Sequence, residues 1–207
     1  MTRTRIKICG ITREEDLDAV LSAGVDAVGF VFYPKSPRYL TPLRAAQLAH
    51  RVPPFVARVG LFVNEDRESV ASTLAIVPLD TLQFHGEETA SYCEQFNKPY
   101  LKAARVKPEL DLLEYARSFL SAQALLLDAY VSDYGGAGQT FDWSLIPENL
   151  PLPVILSGGL TAKNVKEGID RLRPWAVDVS SGVEMSKGIK DAAQIAAFVA
   201  AVKSADA

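Results

Sequence analysis

The stretch RIKICGITREEDLDAVLSAGVDAVGFVFY, residues 5–33, decides the fold class of this chain. It begins with a short β-rich run, continues with an amphipathic run and returns to a second β-rich run. A strand, a helix and a strand in succession are typical of a parallel sheet covered by helices. Thr12, with Glu15 three residues later, predicts the N-terminal cap of the helix, and Gly24 predicts its end.

The same alternation continues to the end of the chain. Eight strand–helix units follow one another without a linker or a break in composition. Eight units in 207 residues predict an α/β fold, a single-domain (β/α)₈ TIM barrel over residues 1–207. A doubly wound open sheet is the alternative. The further predicted strands lie in ARVGLFV (57–63), TLQFH (81–85), YLKAARV (100–106), ALLLDA (124–129), PVILSGGL (153–160) and AVDVSSGV (176–183).

The polar residues of these strands favour the barrel. Successive side chains of a strand point to opposite faces, so Lys7 and Cys9 share one face, and so do Gln83 and His85. Asp128 ends a further strand after an apolar run. Strands of an open sheet with helices on both sides are usually apolar on both faces. In a barrel, by contrast, inward-facing residues meet near a site at the C-terminal strand ends.

Composition narrows the classes of function. The chain is 48% hydrophobic and 23% charged, with a net charge of −3, so no excess of basic residues predicts a nucleic-acid partner. No run approaches about 18 apolar residues, and the first ten residues do not resemble a signal peptide, so we expect no membrane segment. Cys9 and Cys93 are expected to be free thiols, which favours the cytoplasm.

Cys9 and Lys7 form the first candidate pair. A buried, inert thiol is an equally good interpretation of Cys9 taken alone. Lys7 lies one step down the same face, and a nearby cation favours thiolate, so we expect it to lower the pKa of Cys9. A buried lysine needs a partner. The last strand lies beside the first in a closed barrel, and Asp178 has the inward parity, so we predict a Lys7–Asp178 pair beneath the site.

Asp128 and the glycine-rich segment after it form the second candidate. A carboxylate after an apolar run can be a helix cap or a loop anchor, but no clear helix follows here. Gly135, Gly136 and Gly138 predict a mobile loop that acts as a lid. We therefore favour a functional role for Asp128.

Glycines end the last two predicted strands. Gly158 and Gly159 follow one strand, and Ser181 and Gly182 follow the next. In this fold the two corresponding loops often bind phosphate through backbone N–H groups. Two ordinary tight turns are the alternative.

Three further polar residues are candidates for the site. Arg38 lies in a loop stiffened by two prolines and is suited to bidentate carboxylate binding, although a solvated surface arginine fits the sequence equally well. His85 and Gln83 share a face, and a hydrogen-bonded wall is a better interpretation of His85 than a catalyst. No spacing of Cys, His, Asp and Glu predicts a metal site.

Seven segments, taken in order along the chain, resemble the phosphoribosylanthranilate isomerase family of tryptophan biosynthesis. They are spread over residues 7–184, and together they are highly specific. The segments are KICGIT (7–12), DAVGFVFYPKSPRYL (26–40), RVGLFVN (58–64), QFHGEE (83–88), LLLDAYVSDYGGAGQTFDW (125–143), LSGGLTAKNV (156–165) and AVDVSSGVE (176–184).

The resemblance implies an Amadori rearrangement. The substrate would be N-(5-phosphoribosyl)anthranilate and the product 1-(2-carboxyphenylamino)-1-deoxyribulose 5-phosphate. Cys9 would be the general base, Asp128 the general acid and Arg38 the partner of the anthranilate carboxylate. The phosphate would lie at Gly158, Gly159, Ser181 and Gly182. No cofactor is expected, because the substrate nitrogen is the electron sink once a Schiff base has formed.

One departure from the family pattern is visible. After GVE the family usually has a Pro-Gly and then Lys-Asp, and Lys187 stands where that proline is expected. We expect only a local effect on the loop. Two other functions remain open at this point: a different phosphosugar isomerase or synthase on the same barrel, and a sensor that binds a phosphorylated ligand without turnover. A monomer and a homodimer are equally compatible with the sequence.

Overall fold

A closed parallel barrel of eight strands forms the centre of the molecule. The computed structural model describes residues 3–129 and 140–206. Each strand pairs with its neighbours in chain order, and β8 pairs with β1, so the predicted barrel is confirmed and the open sheet is wrong. The strands are β1 (Arg5–Cys9), β2 (Ala27–Val31), β3 (Ala57–Phe62), β4 (Thr81–Phe84), β5 (Tyr100–Val106), β6 (Ala124–Ala129), β7 (Val154–Leu156) and β8 (Ala176–Val179).

Helices cover the outside of the barrel. They are α1 (Glu14–Ala23), α2 (Pro42–Ala49), α3 (Arg67–Ile76), α4 (Ala90–Cys93), α5 (Leu112–Arg117), α6 (Val165–Leu172) and α7 (Ala192–Ala205), with single 3₁₀ turns at Glu94–Phe96, Trp143–Leu145 and Ser181–Val183. In the described residues, a 3₁₀ turn takes the place of a full helix between β6 and β7. No helix of the described residues is long and apolar enough to cross a membrane.

The ends of α1 and α2 show how these helices begin and stop. Thr41 caps α2, its side chain accepting a hydrogen bond from the Arg44 N–H, and Gly24 ends α1 in the left-handed conformation, with φ of 79°. The predicted cap of α1 is wrong. Arg13 takes that position without a side-chain cap, because the Thr12 hydroxyl donates instead to the carbonyl oxygen of Gly188, at 2.6 Å.

A short antiparallel hairpin stands outside the barrel. Its strands are β9 (Glu184–Ser186) and β10 (Ile189–Lys190), between β8 and α7. Lys187 lies in the turn that joins them. The Thr12–Gly188 hydrogen bond ties this turn to the segment between β1 and α1, so the hairpin lies against the C-terminal end of the barrel.

Side-chain parity divides the core into two layers. The apolar inward residues fill the lower barrel and the outward ones pack beneath the helices. The inner layer consists of Val59, Leu101, Ala103, Ala124, Leu126, Ile155 and Ala176. With its lower part filled by apolar side chains, the barrel leaves its polar inward residues near the C-terminal strand ends.

Candidate active site

The C-terminal strand ends surround a cavity. Ten of the eleven residues that the sequence predicted for the site line it, and Lys7 lies beneath it. The ten are Cys9, Arg38, Gln83, His85, Asp128, Gly158, Gly159, Asp178, Ser181 and Gly182. The placement follows from strand parity, because each strand contributes inward side chains at its end.

One wall of the cavity, the β1–β8 wall, consists of Lys7, Cys9 and Asp178. Lys7 and Asp178 are register partners on neighbouring strands. Lys7 Nζ lies 2.8 Å from Asp178 Oδ1, and both side chains are about 95% buried, with 5% and 6% exposed. The predicted ion pair is therefore present. Breaking such a buried pair is costly, because the remaining charge has no compensation.

Burial is the largest influence on Cys9, and it raises the pKa of the thiol above its ordinary value. Lys7 lowers the pKa, as expected, but Asp178 raises it again, and burial outweighs the effect of Lys7. The predicted effect of Lys7 is therefore present, although the net shift of the pKa is upwards. The carboxylate that stabilises Lys7 also cancels part of the lysine's effect on the thiol.

The facing wall, the β4–β6 wall, is a chain of hydrogen bonds through Gln83, His85 and Asp128. Gln83 Nε2 lies 2.9 Å from His85 Nδ1, and His85 Nε2 lies 3.0 Å from Asp128 Oδ2. The other carboxylate oxygen accepts the Ala129 N–H at 2.9 Å. The side chain of Asp128 is 22% exposed and faces the cavity. The prediction that His85 is a hydrogen-bonded wall residue agrees with these contacts.

A buried ion pair holds the backbone beside His85. Lys102 Nζ donates to the Gly86 carbonyl oxygen at 2.5 Å and to Glu88 Oε2 at 3.0 Å. Glu88 in turn accepts the N–H groups of Asn64 and Gly86. The segment that follows β4 is thus fixed to β3 and β5, and this fixes the position of the imidazole.

The loops after β7 and β8 form one corner of the cavity. Gly158 and Gly159 have positive φ, 78° and 63°. A Cβ at Gly158 would lie 2.5 Å from the Ala129 nitrogen, and one at Gly182 would collide with the Leu160 carbonyl oxygen. Only glycine permits the loop after β7 to approach the end of β6, and the loop after β8 to approach the loop after β7. The corner consequently offers backbone to a ligand, as a phosphate site requires.

Arg38 is buried rather than solvated. Its Nε and Nη2 atoms donate to the two carboxylate oxygens of Glu184, at 2.7 and 2.8 Å. Burial lowers the pKa of Arg38, but the Glu184 carboxylate outweighs it and the pKa is raised. The bidentate geometry predicted for Arg38 thus exists, with a carboxylate of the chain itself as one partner.

Glu184 and Lys190, like Lys102 and Glu88, are polar residues that the sequence analysis missed. Lys190 Nζ lies 2.9 Å from Glu184 Oε1 and donates to the Ser180 carbonyl oxygen at 3.0 Å. Burial lowers the pKa of Lys190 despite the neighbouring carboxylate. The only signal in the sequence was the position of Glu184 at the end of the motif AVDVSSGVE.

Three other expectations concern the lid, metal binding and the cysteines. The lid predicted at Gly135, Gly136 and Gly138 lies outside the described residues. Among residues 3–129 and 140–206, no group of three or more His, Cys, Asp or Glu side chains is placed to hold a metal ion. The cysteines Cys9 and Cys93 are both free, as expected.

Known proteins are similar to this chain in sequence and in fold. Residues 6–201 match the family described as N-(5'-phosphoribosyl)anthranilate (PRA) isomerase. The N-(5'-phosphoribosyl)anthranilate isomerase of Dechloromonas aromatica is 64% identical over 204 residues, which cover 99% of this chain and 98% of that protein.

Two solved structures are also similar. One is phosphoribosyl anthranilate isomerase in complex with reduced 1-(o-carboxyphenylamino)-1-deoxyribulose 5-phosphate, at a TM-score of 0.87 and 41% identity, covering 97% of this chain and 99% of that one. The other comprises monomers generated from the dimeric isomerase of Thermotoga maritima, at a TM-score of 0.85 and 41% identity, covering 97% and 98%.

Proposed function

The chain belongs to the N-(5'-phosphoribosyl)anthranilate isomerase family, and on that premise we propose that Cys9 is the general base and Asp128 the general acid of its reaction. The enzyme converts N-(5-phosphoribosyl)anthranilate, an aminoaldose, into 1-(2-carboxyphenylamino)-1-deoxyribulose 5-phosphate, the aminoketose of tryptophan biosynthesis. The observation that supports the assignment is that one thiol and one carboxyl face the same cavity from β1 and β6.

Ring opening is the step assigned to Asp128. The carboxyl donates a proton to the furanose oxygen, the bond from that oxygen to C1′ breaks, and the nitrogen lone pair forms a C1′=N⁺ double bond. The hydrogen bonds to His85 and to the Ala129 N–H hold the carboxyl towards the cavity. Positioned acids of this kind contribute roughly 10²- to 10⁴-fold to rates.

Proton removal from C2′ is the step assigned to Cys9. The thiolate takes the proton, the C–H electrons form a C1′=C2′ double bond, and the iminium electrons return to nitrogen. The resulting enol tautomerises to the ketose. A cation near a thiol lowers the thiol's pKa, so the iminium opposes the effect of burial on Cys9 at the stage when the base is required. No step needs an added cofactor.

The two anionic ends of the substrate have separate sites. The phosphate binds the backbone at Gly158, Gly159, Ser181 and Gly182, in the corner between the last two loops. The anthranilate carboxylate binds Arg38. This arrangement places the ribose between the β1–β8 wall and the β4–β6 wall.

The experiment compares Asp128→Asn with Cys9→Ser by following the loss of substrate fluorescence. Each variant should lose roughly two to four orders of magnitude in kcat. Each should still bind the reduced product analogue, which controls for folding. A substrate analogue already opened to the Schiff base should restore turnover in Asp128→Asn but not in Cys9→Ser. Near-full activity of both variants would refute the assignment.

We also propose that residues 1–207 form one domain, that the enzyme works in the cytoplasm, and that it assembles as a homodimer. The two free, buried thiols suit a reducing compartment. Phe55 is fully exposed at a positive φ of 72°, before β3 on the face opposite the cavity. A groove on the same face includes Leu152 and the half-exposed Trp175. The dimeric state of the Thermotoga maritima protein supports this pairing.

The dimer is tested by replacing Phe55. The variant Phe55→Asp should sediment as a monomer at concentrations where the natural chain is dimeric. Leu43→Asp, at another exposed apolar residue on the opposite face, is the matched control and should leave the mass unchanged. A monomeric natural chain, or a Phe55→Asp dimer, would contradict the proposal.

A further inference from the structure

The β9–β10 hairpin delivers two charged side chains to the site. Glu184 begins β9, Lys190 ends β10, and the two are paired in the register of the hairpin. Their side chains are 4% and 0% exposed. Neither lines the cavity directly, so they do not contact a ligand there. Their charges must act through a neighbour.

That neighbour is Arg38. The carboxylate of Glu184 lies between two cations, with Arg38 Nε at 2.7 Å and Lys190 Nζ at 2.9 Å. Burial raises the pKa of Glu184, but its hydrogen bonds and charge interactions with Arg38 and Lys190 outweigh burial and lower it. In their ordinary charge states the two cations and one carboxylate carry a net charge of +1, which suits the binding of one further anion.

The guanidinium of Arg38 has a second edge of hydrogen-bond donors. The Nε–Nη2 edge is occupied by Glu184, whereas Nη1 meets no hydrogen-bond acceptor in residues 3–129 and 140–206. The aliphatic part of Arg38 lies against Gly10, where a Cβ would collide with it. Glu184 therefore fixes the guanidinium of Arg38, and the backbone at Gly10 fixes the aliphatic part of the side chain. The remaining N–H donors are consequently fixed in direction.

We propose that Glu184, braced by Lys190, is a positioning residue that sets the specificity of the site for an aryl carboxylate. This rests on the proposed role of Arg38. Glu184 holds one edge of the guanidinium so that the other edge is presented to the substrate as a preformed bidentate donor. Lys190 offsets the charge of Glu184, so that an incoming carboxylate does not meet a neutralised arginine.

The test uses two ligands that differ in one group. The first is the reduced product analogue, and the second is the same molecule without the benzoate carboxyl. The ratio of their Kd values, measured by calorimetry, reports the contribution of the carboxylate alone. The natural enzyme should prefer the carboxylated ligand by roughly tenfold to a hundredfold.

Glu184→Gln should reduce this preference by about tenfold and leave the Kd of the second ligand nearly unchanged. In turnover, KM should rise while kcat is largely kept, the pattern of lost uniform binding. A merely structural role would weaken both ligands equally. Lys190→Met should also reduce the preference, and Lys190→Arg should retain it.

Glu14→Gln is the matched control. Glu14 makes the same kind of bidentate contact with Arg44, at the surface of α1 and away from the cavity. This variant should leave the ratio unchanged.

The outcomes separate two failures. A natural enzyme without a preference for the carboxylated ligand would refute the role of Arg38 itself. A clear preference in the natural enzyme that persists in Glu184→Gln would overturn the positioning role and leave Arg38 in place. If Glu184→Gln does not fold, Lys190→Met decides the matter in the same way.

Discussion

The two walls of the cavity differ in how deeply their charged groups are buried. The β1–β8 wall buries a charged pair almost completely, with Lys7 and Asp178 about 5% exposed, and raises the pKa of Cys9. The β4–β6 wall leaves Asp128 22% exposed and supports it with a hydrogen-bonded imidazole. The charged pair of the first wall is part of the core, whereas the carboxylate of the second is part of the cavity surface. We therefore expect loss of the buried pair to affect folding and disruption of the second wall to affect turnover.

The largest expected effect is on the buried pair. Lys7→Met leaves Asp178 charged and unpaired inside the barrel. Asp178→Asn likewise leaves Lys7 charged and unpaired. Each should lower the free energy of unfolding by about 3–5 kcal/mol, measured by urea denaturation. Lys7→Met combined with Asp178→Asn should cost clearly less than the sum of the two single changes. Additive losses would show that the pair is not coupled and would weaken the contrast between the walls.

A smaller effect is expected at His85. His85→Asn removes the hydrogen bond to Asp128 Oδ2 but leaves no buried charge. We expect kcat to fall about tenfold, which is the loss of about 1.4 kcal/mol in the transition state. The urea midpoint should shift little, since the side chain is partly exposed. A loss of stability as large as that of Lys7→Met would mean that the two walls do not differ in kind.

The smallest expected effect is on the titration of the thiol. In a Cys93→Ala background, alkylation of Cys9 by iodoacetamide should rise with pH, with a midpoint above that of an ordinary cysteine, because burial raises the pKa. Lys7→Met removes the cation that lowers this pKa. The midpoint should therefore move further up. A midpoint that falls in Lys7→Met would contradict the role given to Lys7.

Local periodicity was enough to predict the barrel and several of the polar residues that line its cavity. Strand alternation placed Lys7, Cys9 and Asp128 on inward faces, and barrel closure then brought Asp178 beside Lys7. These inferences succeed because the side-chain period of a strand and the neighbour order of a barrel are both fixed by backbone geometry.

Contacts between segments that are distant in the sequence could not be predicted from the sequence. Arg38 and Glu184 are 146 positions apart, and nothing in the residues near either one indicates the other. Thr12 fits a helix cap by sequence, yet its hydroxyl bonds the hairpin turn at Gly188 instead. The net pKa shift of Cys9 could not be predicted for a related reason: burial and Asp178 raise the pKa while Lys7 lowers it, and only the folded structure shows that burial is the largest effect.

The buried amide of Gln83 selects the tautomer of His85. When its nitrogen donates to His85 Nδ1, as the contact of 2.9 Å has it, a neutral imidazole carries its one proton on Nε2 and donates a hydrogen bond to Asp128 Oδ2. In that arrangement the amide oxygen has no hydrogen-bond partner within the described chain. Turning the amide over lets its oxygen accept an Nδ1–H, and Nε2 of the neutral ring then faces Asp128 as an acceptor. The ¹⁵N shifts of the His85 ring distinguish the two tautomers. The orientation of one uncharged side chain thus sets whether His85 donates a hydrogen bond to Asp128 or accepts one from it.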